Sequence, residues 1–184
     1  NKEPGEKTIM ESIGQNPTLS GEITSRVRNS TNKPIIAKLS PNSDYLAVAE
    51  KCLESGADGL GCANTLGPGL SIDIRTKEII LAGTSGGISG QALKPINLLM
   101  TFEAFEKFAC PIIAYGGIET WEDGVEYLLA GASVLGLGTV FLGKSTEESI
   151  KTTKDIWAGI QSYLKGKDLH QIIGKAHKNF QEST

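Results

Sequence analysis

"CPIIAYGGIETWEDGVEYLLAGASVLGLGT", residues 110–139, reads as an apolar run, a helical pattern and a second apolar run. Each apolar run is short and closes on small residues, first Gly116-Gly117 and then Gly138-Thr139. Short apolar runs bounded by turn residues are the signature of buried strands. Two more lie upstream, "KPIIAKLS" at 33–40 and "DGLGCANT" at 58–65. Helical patterns fall at 18–30, 43–56, 94–108, 120–130 and 145–165, with a weaker one at 168–179. Strand alternating with helix predicts an α/β fold, a parallel sheet covered by helices.

Two stretches stand outside this repeat. Residues 1–17 are polar and turn-rich, and read as a loop entering the first helix. Residues 66–93 form a long excursion, in which "SIDIRTKEIILAG" (71–83) alternates like a small hairpin before the glycine cluster "SGGISG" (85–90). A loop of that length inside a compact domain is usually functional or mobile, and its place after a strand end favours function.

Bulk properties narrow the classes. A chain of 184 residues, 39% of them hydrophobic, is long enough to bury a core and reads as one domain. A net charge of −3 and a pI near 5.5 give no electrostatic reason to expect nucleic acid or an anionic membrane surface. No window approaches the roughly 18 apolar residues of a membrane span. Cys52, Cys62 and Cys110 are odd in number and lack zinc-like spacing, so a reduced, cytoplasmic setting is the simplest fit. The first residue is Asn1 rather than Met, and the chain is expected to be part of a longer product.

The glycines carry the first functional signal. A helix N-terminus offers free N–H groups and partial positive charge, and glycine in the preceding turn lets a phosphate approach the backbone. Gly116, Gly117, Gly138 and Thr139 sit where two neighbouring strands would offer such donors together. In (β/α)₈ barrels a phosphate site commonly lies after strands seven and eight. The plain alternative is that the glycines only permit tight turns.

Lys38 is the second signal. Strand alternation puts Ile36, Lys38 and Ser40 on one face, and an ammonium at a buried strand position is costly unless paired or placed near an anion. Otherwise it snorkels to solvent from the strand end. By the same parity Cys62 and Asn64 share a face, with Thr65 at the turn. Asn64 offers donors and an acceptor of the kind a heterocyclic amide needs, or it is simply a turn residue. Cys62 reads as a small buried hydrophobe, having no histidine near it in sequence.

Taken together, "KPIIAKLSPN", "GADGLGCANTLGPGLSIDIRT", "GGISGQALKP", "PIIAYGGIETWEDGVEYLLAGASVLGLGT" and "IQSYLKGKDLHQIIGKA" resemble the C-terminal portion of class 1 dihydroorotate dehydrogenase, from about residue 14 to 178. The FMN domain of dihydropyrimidine dehydrogenase is similar and is the alternative within this resemblance. The resemblance implies an FMN-dependent (β/α)₈ barrel that oxidises dihydroorotate to orotate in pyrimidine synthesis. It implies flavin contacts at Lys38, Ala63, Ser89 and Gly90, a phosphate cradle at Gly116, Gly117, Gly138 and Thr139, and substrate contacts at Asn64 and Thr65. It also implies a homodimer, and in some relatives a partner subunit carrying FAD and an iron-sulfur cluster. Other relatives reduce an acceptor such as fumarate. The segment "NTLGPGLSID" departs from the pattern of the membrane-associated class.

A whole barrel needs eight strand-helix units and about 250 residues. Only four units are legible here, all matching the second half of the family's barrel. The family's general base is a cysteine in a Ser-Cys-Pro-Asn loop, expected just upstream of Asn1, with residues 1–17 a remnant of the substrate loop. Four parallel strands alone would leave two open edges and an uncovered interior face. A non-catalytic half-barrel that binds flavin or phosphate is the competing reading. His170 and His177 read as surface residues. Glu119, Glu122 and Asp123 crowd the start of a helix and suit its N-terminus better than a metal.

Overall fold

The computed structural model describes residues 13–177. In chain order its elements are α1 (Pro17–Ser30), β1 (Ile36–Lys38), α2 (Tyr45–Glu54), β2 (Gly59–Cys62), the short strands β3 (Leu66–Gly69), β4 (Ile72–Asp73), β5 (Glu78–Ile79) and β6 (Gly86–Ile88), then α3 (Lys94–Phe108), β7 (Ile112–Tyr115), α4 (Trp121–Ala130), β8 (Val134–Gly136) and α5 (Thr146–Leu164). The main sheet runs β1-β2-β7-β8, and every neighbouring pair is parallel. This is the alternating α/β arrangement read from the sequence, and it is consistent with part of a barrel.

Register sorts the strand residues onto two faces. Ala37, Leu60, Ile112, Ala114 and Leu135 alternate with Ile36, Gly59, Ile113 and Val134 across the paired strands. The first set meets the helices: Leu60, Cys62 and Ile112 pack with Val48, Ala49 and Cys52 of α2 and Met100 and Ala104 of α3. Burial of such side chains contributes about 1.5–3 kcal/mol each. The second set is far less covered, with Ile36 38% and Val134 53% exposed. Among the described residues, therefore, helices cover one face of the sheet and leave the other open.

Helix starts follow their capping residues. Asn16 and Asp44 cap α1 and α2, while Thr120 with Asp123 and Ser145 with Glu148 form capping boxes on α4 and α5. In the excursion, β4 and β5 form the expected hairpin, and β3 pairs with β6 to bring Gly86–Ile88 back beside the end of β2. No helix among the described residues is long and apolar enough to cross a membrane.

Three expectations need correction. Of residues 1–17, read as a loop, 1–12 lie outside the described residues, while 13–15 and 17 are helical. The weak helix at 168–179 is instead a single 3₁₀ turn at Leu169–Gln171 followed by turns, with only 175–177 helical and the remainder outside the described residues. Gly174, at φ +71, donates its N–H to Leu128 and packs against the Phe105 ring, which docks the segment on the helix layer instead of extending a helix. His177 is accordingly not a surface residue. Its ring stacks on Phe102 at 3.8 Å and lies 3.0 Å, through Nε2, from the Ala130 carbonyl. His170 is exposed as expected.

Candidate functional site

The C-terminal ends of all four sheet strands open on one side of the molecule, and the residues singled out in the sequence meet there. Lys38 ends β1, Ala63, Asn64 and Thr65 follow β2, and Ser89 and Gly90 arrive from the excursion. Gly116 and Gly117 follow β7, and Gly138 and Thr139 follow β8. All ten line a single cleft of about 160 Å³. A second cleft, of about 550 Å³, adjoins it by sharing Lys38, Asn64 and Thr65, and is walled by Asn42 and the Gly86-Gly87 strand.

Lys38 differs from its expected setting. It is exposed, because β1 lies at the sheet edge and its open face has no cover among the described residues. Its Nζ sits 5.1 Å from the centre of the Tyr115 ring, within cation–π range. That ring lies over Gly136, where an added Cβ would fall 2.2 Å from it. The ammonium is therefore presented to the cleft rather than buried and compensated.

Asn64 and Cys62 do not share a face. Leu39 donates to the Gly61 carbonyl but accepts from the Asn64 N–H, one residue beyond the regular parallel partner, so the alternation does not carry from Cys62 to Asn64. Cys62 is wholly buried in the helix-side core, and burial pushes its thiol up to about 12. Asn64 is exposed at the cleft, with its Oδ1 accepting the Thr65 N–H at 2.9 Å. It serves the turn through that oxygen, while its Nδ2 hydrogens face no acceptor among the described residues. Asn42, not singled out in the sequence, fixes the same loop by donating to the Thr65 carbonyl at 3.2 Å and accepting from Gly67 at 3.1 Å.

The glycines divide into two kinds. Gly116 and Gly117 take φ +109 and +69, and an added Cβ would meet Asn97 Nδ2 at 2.4 Å or Lys94 Cβ at 2.7 Å. Their turn is thus demanded by packing as well as open to a ligand. At Gly138 an added Cβ would meet nothing within 4 Å, and no side chain caps the 3₁₀ turn that begins at Thr139. The N–H groups at the start of such a turn have no partner within it.

Asp123 anchors this region. Its carboxylate accepts the N–H groups of Glu119 and Thr120 at 2.9 Å each and pairs with Lys94 at 2.5 Å. Gln91 Nε2 donates to it as well, at 3.1 Å. The acidic cluster thus serves the start of α4 and the Gly90–Lys94 turn. Asn97, which also lines the cleft, and Tyr127 are fully buried against the glycines. Their signal in the sequence is an amide and a phenol at inward helix positions, visible only once the helix faces are fixed.

The family model described as dihydroorotate dehydrogenase matches residues 4–164. The chain is 40% identical over 167 residues to dihydroorotate dehydrogenase B (NAD(+)), catalytic subunit, of Geotalea daltonii, covering 88% of this chain and 52% of that protein. The subunit of the same name from Methanocaldococcus jannaschii is 38% identical over 178 residues, 95% of this chain and 56% of that protein. An Aquifex aeolicus protein, provisionally named dihydroorotate dehydrogenase A (fumarate), is 40% identical over 172 residues, with coverage of 90% and 54%. The chain spans about half the length of these curated relatives. With a family model matched across most of its length and a cleft built from the strand ends that the family motifs mark, the chain belongs to the dihydroorotate dehydrogenase family.

Proposed function

We propose that the protein containing this chain oxidises dihydroorotate to orotate, a step of pyrimidine synthesis, with FMN held in the cleft. The observation that carries the reading is the convergence of all ten marked residues on one cleft at the strand ends. The cleft also fits the cofactor's chemistry. Gly138 leaves room where a side chain would stand, the Gly116-Gly117 turn supplies backbone donors, and Lys38 presents a cation to the same space. Bound FMN would supply a hydride acceptor for C6 of dihydroorotate.

This chain's own residues would bind and orient. Gly116, Gly117, Gly138 and Thr139 would hold the phosphate, while Ala63, Ser89 and Gly90 wall the cleft around the ring system. The Lys38 ammonium favours negative charge built up beside it. Asn64 and Thr65, shared between the two clefts, would present an amide and a hydroxyl to the pyrimidine. The base that takes the C5 proton would be the cysteine of the upstream loop. The described cysteines do not suit the role: Cys52 and Cys62 are buried, and burial pushes the half-buried Cys110 thiol up.

Further strand-helix units would close on the open face that carries Ile36 and Val134, since relatives of about twice this length have residues to build them. Relatives named as catalytic subunits of an NAD(+) enzyme support electron transfer to a partner subunit, which the resemblance would furnish with FAD and an iron-sulfur cluster. The fumarate-named relative keeps direct reduction of a small acceptor as the second reading. Cofactor extraction from the full-length protein tests the assignment: FMN is expected, and FAD alone, or no flavin after reconstitution, would overturn it.

A further inference from the structure

Two buried polar side chains pack against the Gly116-Gly117 turn, Asn97 at the wall of the cleft and Tyr127 behind it. Asn97 comes from α3 and donates through Nδ2 to the Tyr115 carbonyl at 2.8 Å. Tyr127 comes from α4 and donates to the Gly116 carbonyl at 2.7 Å, nearer than its neighbour the Lys94 carbonyl at 3.3 Å. Both residues are 0% exposed. Burial pushes the phenol above its ordinary range, so it remains a donor.

In a planar trans peptide the C=O of one residue and the N–H of the next point in opposite directions. Drawing the Tyr115 carbonyl into the helix layer therefore turns the Gly116 N–H away from it. Drawing in the Gly116 carbonyl does the same for the Gly117 N–H. Both glycines line the cleft, and neither N–H finds a backbone acceptor among the described residues. Two successive N–H groups aimed into one concavity form an anion-binding nest.

Asn97 is costly in this position. A buried amide is tolerated when hydrogen-bonded, yet its Oδ1 is buried without a partner among the described residues. Its buried neighbours on the same helix face are the apolar Met100 and Ala104 and the hydroxyl residue Thr101, which donates to the Asn97 main-chain carbonyl at 2.9 Å and leaves Oδ1 unserved. Its Nδ2 also leaves no space for a side chain at Gly116, where an added Cβ would fall 2.4 Å away. Packing alone would be served by an apolar residue of similar size.

We infer that Asn97 and Tyr127 are positioning residues, which hold two carbonyls in the helix layer so that the Gly116 and Gly117 N–H groups face the ligand's phosphate. This rests on the FMN reading of the cleft. The test compares FMN with riboflavin, which lacks the phosphate, by fluorescence titration of the full-length apoprotein and its Tyr127→Phe and Asn97→Leu variants. Tyr127→Phe removes one hydroxyl and keeps the ring in its core cluster, so it decides the matter even where Asn97→Leu fails to fold. Wild type is expected to prefer FMN. Each variant is expected to lose about tenfold of that preference, as for one oriented hydrogen-bonding group, with riboflavin affinity little changed. A wild-type preference retained in Tyr127→Phe, or equal weakening of both ligands, would overturn the positioning role alone. A wild type that binds FMN no better than riboflavin would overturn the phosphate reading and this inference with it.

Discussion

Replacing Asp123 by asparagine removes one negative charge from the junction that holds the glycine turn. The carboxylate side chain is 8% exposed and pairs with Lys94, itself 18% exposed. Burial alone would raise its pKa, but the Lys94 hydrogen bond and the N–H groups of Glu119 and Thr120 outweigh that and hold the carboxyl at about 2, against an ordinary 3.8. The difference corresponds to about 2 kcal/mol of folding stability at neutral pH. Because the folded-state pKa is depressed, that contribution is present above the unfolded pKa and is lost as pH falls from about 4 toward about 2. Asparagine keeps one acceptor, and Lys94 keeps Glu126 at 2.9 Å. The expected loss is therefore about 2–3 kcal/mol, at the low end for a broken buried pair. Urea unfolding of the full-length apoprotein and Asp123→Asn, at about pH 7 and about pH 3, measures it. The gap between the two proteins should narrow by about 1 kcal/mol at the lower pH. A gap below about 0.5 kcal/mol at neutral pH, or one that stays constant with pH, would refute Asp123 as a charged anchor.

Lys38→Met in the FMN-loaded full-length protein should lower the flavin potential and slow reduction by dihydroorotate by a factor on the order of 10². Stopped-flow reduction at the wild-type rate, with unchanged potential, would leave Lys38 a surface lysine. Gly131→Ala places a methyl at φ +118 and 2.1 Å from the Phe105 ring, and should cost about 3 kcal/mol or more in a thermal melt. A melting temperature within about 2 °C of wild type would contradict the packing seen there. Cys62 should resist thiol reagents until the protein unfolds, since burial holds its thiol protonated. Rapid labelling of native Cys62 would contradict its place in the core.

Much of the fold was legible because each strand-helix unit is punctuated locally. The capping pairs Thr120/Asp123 and Ser145/Glu148 and the run Lys94–Phe108 can be read without tertiary information. Local pattern failed after Leu164, where the chain is held by contacts with α3 and α4 through Gly174 and His177. The candidate site was legible as motifs, and the ten marked residues do meet. The surroundings of two of them were not. Lys38 was expected to be buried, but burial depends on what covers β1, and strand parity could not show the shift of register between Cys62 and Asn64. Asn97 and Tyr127 stayed hidden because their partners are backbone carbonyls, which no side-chain motif records.

The most direct test mixes dihydroorotate anaerobically with the purified full-length, FMN-loaded protein and follows the oxidised-flavin absorption while orotate is quantified. The proposed function predicts bleaching of the flavin, with one orotate formed for each flavin reduced. A flavin that stays oxidised in the presence of excess dihydroorotate, with no orotate produced, would contradict it.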